Sequence, residues 1–203
     1  DILIEDELSI ETWTLLQNYW RFGLNSFIKQ SAYNDEDIFR DDNAWVYETE
    51  KFWYNGFWIK SDRRRKLILS IDAGMGNAEL RGKGYYSEFE IDYKPIDPLN
   101  LSLEFKRDIS PNYMQYVDII EDGSEIVRVY ANSKQTTDQI QLRLDWTFSP
   151  DLTFQGYFQP FYANIEYENF SNLLSPETMN LGSYNYLSSY DNPNFKIENN
   201  VGT

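Results

Sequence analysis

The chain has 203 residues, with 18 basic against 33 acidic side chains for a net charge of −15, and it contains neither Cys nor His. That inventory excludes disulfides, Cys/His zinc sites, thiol nucleophiles and every His-based triad, and the acidic balance argues against nucleic acid as a partner, because phosphate recognition needs a cationic face. The 6 Trp, 16 Tyr and 13 Phe sit in a chain of mean hydropathy −0.61, so amphipathic rings supply much of its apolar surface.

The chain opens on Asp1 to Leu8, which carry four acids rather than the basic start and apolar run of a signal peptide. No later run approaches the roughly 18 apolar residues of a membrane-spanning helix. This opening suggests processing or a fragment. Strands are expected at about 8 to 16, 20 to 30, 45 to 60, 66 to 76, 84 to 94, 99 to 119, 125 to 148 and 151 to 166. Leu67, Leu69, Ile71 and Ala73 show a weaker form of the alternation; Phe89, Ile91 and Tyr93 alternate with Glu88, Glu90 and Asp92. Leu99, Leu101, Leu103 and Phe105 alternate with Asn100, Ser102, Glu104 and Lys106. The clearest run sets Ile140, Leu142, Leu144, Trp146 and Phe148 against Gln141, Arg143, Asp145 and Thr147. Helical spacing is sustained nowhere, so the fold class is all-β.

Tight connections are expected at Gln17 to Tyr19, Ser61 to Arg64, Pro95 to Pro98 and Ser149 to Asp151. Long polar ones are expected at Ser31 to Asn43, Asn77 to Gly84, Glu121 to Ser124 and from about Glu166 onward. The two kinds alternate, which in a meander puts all short turns at one end of the sheet and all long loops at the other, as in an outer-membrane barrel. The stretches Leu99 to Ile119 and Glu125 to Phe148 exceed the roughly 9 to 11 residues that a tilted strand needs to cross. Rings beside the turns, Tyr19 and Trp20, Phe57 and Trp58, Tyr93, Trp146 and Phe148, suit an interfacial girdle or, equally, a sandwich core. In the barrel arrangement Leu142, Leu144 and Trp146 meet lipid, while Arg143, Asp145, Glu104 and Tyr157 face the lumen.

Three groups of residues invite chemistry. Glu88, Glu90 and Asp92 on one strand face, with Glu104 on the next, could form a glycosidase carboxylate pair, but a polar lumen wall gives the same pattern. Asn34-Asp35-Glu36-Asp37 and Asp41-Asp42-Asn43 offer calcium's preferred oxygens without calcium-loop spacing. Arg63-Arg64-Arg65-Lys66, the one basic block, suits lipid phosphate, a partner beneath the membrane, or plain solvated turn charge. Gly74-Met75-Gly76 and Gly82-Lys83-Gly84 lack the helix and spacing of phosphate loops.

The text Val129-Tyr130-Ala131, Gln135-Thr136-Thr137, Trp146-Thr147-Phe148-Ser149-Pro150-Asp151-Leu152 and Tyr157-Phe158-Gln159-Pro160-Phe161 resembles a bacterial barrel family, as do Tyr167 with Asn169-Phe170 and Asn192-Pro193-Asn194-Phe195. That family is the C-terminal outer-membrane β-barrel domain of proteins that carry an N-terminal carbohydrate-binding-like module of family nine. The likeness covers the second half well and the first half loosely, through Asn18 with Trp20 and through Trp45. Asn132-Ser133-Lys134 departs from the acidic residues expected there. The resemblance implies an antiparallel up-and-down transmembrane β-barrel in the cell outer membrane. It also implies that residues 1–203 are a single barrel segment, incomplete at both ends. It brings no catalytic residue, cofactor or metal.

The expected role is therefore a non-catalytic anchor or pore of a larger surface or transport assembly. Its expected partners are outer-membrane lipid, lipopolysaccharide and other outer-membrane or periplasmic proteins. A soluble secreted carbohydrate-binding module is the alternative and a glycoside hydrolase a distant third. Eight strands could close a small ring, but the bulky and charged inward set favours an open wall with unpaired edges.

Overall fold

The computed structural model describes residues 6–34, 47–78, 82–122 and 125–173, with short segments at 184–186, 189–192, 195–198 and 201–202. Its strands are β1 (Glu7–Leu15), β2 (Arg21–Lys29), β3 (Ala32–Asn34), β4 (Tyr47–Thr49), β5 (Phe52–Lys60), β6 (Leu67–Ala78), β7 (Gly82–Ile96), β8 (Leu99–Asp122), β9 (Glu125–Ser149), β10 (Leu152–Phe158) and β11 (Phe161–Leu173). Four short ones follow: β12 (Tyr184–Tyr186), β13 (Ser189–Asn192), β14 (Phe195–Glu198) and β15 (Val201–Gly202). One antiparallel sheet runs β1-β2-β5-β6-β7-β8-β9-β11-β15-β14-β13, with β10 also on β9 and β12 on β11, while β3 and β4 pair apart. The all-β assignment holds, and there is no helix among the described residues. Among the described residues the sheet is not closed into a ring, and β1 pairs there only with β2.

Proline placement explains several breaks, because a residue without an N–H suits turns and bulges. Pro95 lies in the register shift between Tyr93 and Ile96, and Pro111 just before the shift between Asn112 and Gln115. Pro160 separates β10 from β11, yet Phe158↔Leu142 and Phe161↔Gln139 keep one register on β9. The Ile140 N–H donates to the Pro160 carbonyl at 3.0 Å, so the strand expected from 151 to 166 is one continuous partner of β9, extended to Leu173.

Two expectations need correction. The strand expected over 45 to 60 is divided, with Tyr47–Thr49 in the small β3–β4 pair and Phe52–Lys60 in the main sheet. The long connections expected at Asn77 to Gly84 and Glu121 to Ser124 are mostly ladder: β6 and β7 reach Ala78 and Gly82, and β8 and β9 reach Asp122 and Glu125. At Asn77–Ala78 and Gly82–Gly84 small and polar residues carry no hydrophobic alternation although the backbone ladder continues. Among the four expected long connections, a long separation between main-sheet strands remains between Lys29 and Phe52.

We call the end with the turns at 16–20, 61–66, 97–98 and 150–151 the lower end. Among the described residues the buried apolar side chains lie toward the upper end, where Val129, Ala131 and Phe170 are fully buried and Tyr130 nearly so. Both neighbours of β9 bulge there: β8 at Asn112/Gln115 and Tyr116/Asp118, and β11 between Glu168 and Ser171, where Asn169 takes a positive φ of 57°. Bulges increase twist and re-aim side chains, which folds this end of the sheet around the residues it buries. Tyr130 meets Tyr116 edge-on at 5.8 Å, and Phe170 lies 6.3 Å from Tyr167.

Candidate membrane-facing surface

Successive strand residues point to opposite faces, so cross-strand register carries each face from strand to strand. One row runs Phe22, Ile59, Ile71, Phe89, Phe105, Ile140 across six strands. All six are apolar, and Phe22, Ile71, Phe89, Phe105 and Ile140 are each 38 to 41% exposed in the middle of a sheet. The same face carries Leu8 and Ile10 on β1, Leu24 and Ile28 on β2, Phe57 on β5, Leu103 on β8, Leu142 on β9 and Phe154 and Phe158 on β10. Monomeric soluble proteins rarely leave so continuous an apolar face uncovered. Among the described strand residues, charges on this outer face begin toward the upper end, with Arg107 and Asp138 paired at 3.2 Å.

This apolar band crosses the hydrogen-bond rows obliquely. On β2 the Phe22 row marks the band's lower limit and Ile28, six residues higher (28 − 22), its upper limit. On β9 the same row, at Ile140, marks the upper limit, and apolar residues continue down to Phe148. The upper limit thus falls by six residues over the five steps β2-β5-β6-β7-β8-β9. At about 3.3 Å per residue and about 4.8 Å per strand spacing, the limit runs at about 40° to the rows. The lower limit descends the same way, through Leu67 on β6 and Leu99 on β8.

The inner face is polar and charged across β7, β8 and the lower part of β9, while Trp13 and Leu15 on β1 and Phe161 and Ile165 on β11 leave exposed apolar side chains on it. Glu90 stands opposite Glu104, Glu88 opposite Lys106, and Asp92 opposite Ser102, which donates a hydrogen bond to it. The Tyr86 hydroxyl donates to Glu88 at 2.5 Å, and the Lys106 ammonium lies 5.0 Å from the Tyr86 ring centre. Arg143 donates from Nε to Asp145 at 2.9 Å, and the Tyr157 hydroxyl donates to Gln141 at 3.1 Å. The candidate glycosidase carboxylates thus share a face, as their spacing predicts, within a network of cations, hydroxyls and amides. A shallow inner concavity is lined by Glu11, Arg21, Asn25, Trp58, Lys60, Arg63 and Asp72. Trp58 covers Gly23, where a Cβ would come within 2.5 to 2.6 Å of three indole atoms; Tyr54 similarly occupies the space beside Gly74. Trp58 therefore belongs to the inner wall and not to an interfacial girdle with Phe57, a correction that follows from their opposite faces.

The basic block divides. Asp62, 4% exposed, accepts from Arg64 Nη2 at 2.8 Å and Nε at 2.9 Å, and the Arg64 guanidinium carbon lies 3.1 Å from the Tyr19 ring centre. Arg64 therefore ties the β5–β6 turn to the β1–β2 turn through a charge-assisted pair and a cation–π contact. The hydrogen bonds from Arg64 hold the Asp62 carboxyl at about 2, below its ordinary 3.8. Arg65 stays 78% exposed, and Lys66 donates from Nζ to the Pro95 carbonyl at 2.6 Å.

Of the calcium candidates, Asp35, Glu36, Asp37, Asp41, Asp42 and Asn43 lie outside the described residues, and Asn34 ends β3. Trp45 also lies outside them. Of the motif residues, Val129, Tyr130 and Ala131 form the buried upper cluster, and Asn169-Phe170 is the β11 bulge. Asn192 pairs with Phe195 in the β13–β14 hairpin. A family model matches residues 2–200. The chain belongs to that family, DUF5916, a domain of unknown function. No curated protein and no solved structure matches this DUF5916 chain. Sequence patterns miss the turn clasp because Asp62, Arg64 and Tyr19 come from two turns, where periodicity carries no signal.

Proposed function

We propose that this DUF5916 domain is part of the wall of an outer-membrane β-barrel, a non-catalytic anchor or pore of a larger surface or transport assembly. The supporting observation is the oblique band: its inclination of about 40° to the rows matches the roughly 35 to 45° strand tilt of transmembrane barrels. The outward Leu, Ile and Phe side chains stay uncovered across β1, β2 and β5 to β10, which suits contact with hydrocarbon and leaves a soluble carbohydrate-binding module without a covering partner. The Trp146 and Phe148 rings, stacked at 4.3 Å by the β9–β10 turn, suit the lower interface.

In this reading the free edge of β1 pairs with further barrel strands, since an open edge in a bilayer leaves backbone groups unsatisfied. Lipid and lipopolysaccharide surround the wall, and a carbohydrate-binding-like module belongs to the same assembly. The test is the parent protein in detergent. A folded barrel migrates differently on a gel before and after boiling and leaves the membrane only with detergent. A protein released by salt and lacking that mobility shift would overturn the proposal.

A further inference from the structure

The concavity of the inner face has a volume of about 470 Å³, within the roughly 300 to 1,000 Å³ of small-molecule sites. Register places its charges. Arg21 stands directly opposite Lys60, a like-charge pair that costs stability while nothing neutralises it. Asp72 stands opposite Trp58, the next inner position above Lys60 on β5, and Glu11 stands opposite Asn25, two inner positions above Arg21 on β2. The Trp58 indole lies across Gly23, the inner position between Arg21 and Asn25, and so separates Arg21 from Glu11. Arg63 reaches the rim from the β5–β6 turn.

Both signs of charge therefore line one concavity, yet among the described residues none of Glu11, Arg21, Lys60, Arg63 and Asp72 forms an ion pair. Arg21, Lys60 and Asp72 are half-buried. Elsewhere on the same face opposite charges do meet: Lys106 lies 3.9 Å from Glu88, and Arg143 lies 2.9 Å from Asp145. The concavity thus presents separated cations and acids around an aromatic ring, an arrangement complementary to a small molecule that carries both charges. Lys60 and Asp72 are one strand spacing and two residues apart, about 8 Å between backbone positions. An extended dipeptide, about 7 Å long, spans that separation, whereas the two charges of a single amino acid do not.

From this arrangement we infer that the concavity binds a short zwitterionic peptide, with its C-terminal carboxylate between Arg21 and Lys60, its ammonium on Asp72 and an apolar side chain against the Trp58 ring. The Arg21 guanidinium and the Lys60 ammonium both donate to the carboxylate, which relieves their mutual repulsion. Arg63 and Glu11 set the field at the rim. The inference names what the inner side of the proposed wall takes up, and it rests on the reading in which that side lines a lumen.

The full-length protein in detergent, its fold monitored by the mobility shift on boiling, is titrated by calorimetry with glycylphenylalanine and with the N-acetylated, C-amidated and doubly blocked forms of that dipeptide. The zwitterion is expected to bind about tenfold tighter than either singly charged form, because each blocked end gives up a charge-assisted contact. Lys60→Gln should weaken the zwitterion and the N-acetylated form and leave the amide unchanged. Asp72→Asn should weaken the zwitterion and the amide and leave the N-acetylated form unchanged. Lys134→Gln, on the outer face, should alter none of them. An N-acetylated form or an amide that binds as tightly as the zwitterion would reduce the concavity to a site for one sign of charge and overturn the inference. Equal losses for all forms in both variants would mark a structural role and overturn it too. A protein without the mobility shift would overturn the wall reading and this inference with it, whereas a shifted protein that binds none of the four forms overturns the inference alone.

Discussion

The lower and upper halves of the β8–β9 hairpin are one ladder in two environments. Below, Leu99 to Phe105 face Ile140 to Trp146, and the outward side chains are uncovered, Leu142 at 44% and Phe105 at 40%. Above the Arg107–Asp138 pair the pattern reverses, and Val129 and Ala131 are at 0%. The protein builds its own core only beyond the limit of its apolar band. On the proposed reading lipid covers the band, so the same substitution should have different costs in the two halves.

The largest effect is expected above. Phe170→Ala removes a fully buried ring from the β11 bulge and should destabilise by about 3 to 5 kcal/mol, transfer and cavity terms together. On the proposed membrane reading, Leu142→Ala, with the same kind of truncation on the outer face, should cost about 1 kcal/mol or less, because lipid chains would fill the space that a protein core leaves empty. Reversible unfolding from detergent or lipid measures both, and equal losses would erase the distinction between the halves.

Polarity gives the next contrast. Leu144 is midway between Ile140 and Phe148, and on the proposed membrane reading Leu144→Arg should cost about 2 to 4 kcal/mol. Arg143→Gln, one residue away on the inner face and 52% exposed, should fall within about 0.5 kcal/mol of the wild type. If the arginine variant were the milder of the two, the assignment of faces would be inverted.

Sequence alone makes the lower half legible and the upper half obscure for one physical reason. Ile140 to Phe148 alternate because their two sides meet unlike media, and alternation is what a reader of sequence can see. The bulges in β8 and β11 break the period of two in those strands, and on β9 between them Val129, Tyr130 and Ala131 are buried in succession, so both faces of that stretch are covered and no alternation marks it. The strand pairings from β5 to β9 were likewise legible, whereas Trp58 reads as an interfacial ring until the register places it beside Gly23. The tie between Arg64 and Tyr19 depends on two turns meeting in space, which no local pattern encodes.

The inner wall offers a smaller test. Gly23 leaves room for the Trp58 indole, and Gly23→Val would force that ring off the wall, at about 1 to 3 kcal/mol. Trp58→Ala in the same background should recover most of the loss, since the clash is then gone. A double variant no more stable than Gly23→Val would show that the glycine serves the backbone and not the ring.

The smallest effect lies at the lower turns, where the comparison is with solvent and not with lipid. Asp62 binds Arg64 in its charged form, and its carboxyl lies at about 2 in the folded protein against an ordinary 3.8. A carboxylate with a depressed folded value contributes stability that is fully present above the unfolded value and is lost as pH falls through the folded one. The difference in stability between the wild type and Asp62→Asn should therefore be constant above about pH 5 and shrink as the pH drops toward 2. Tyr19→Leu removes the ring above Arg64 but leaves the carboxylate pair, so it should lower stability by a similar amount at both ends of that range. A Tyr19→Leu effect that followed the pH profile of Asp62→Asn would mean that the ring acts by holding Arg64 on Asp62, making the two turns one titrating unit.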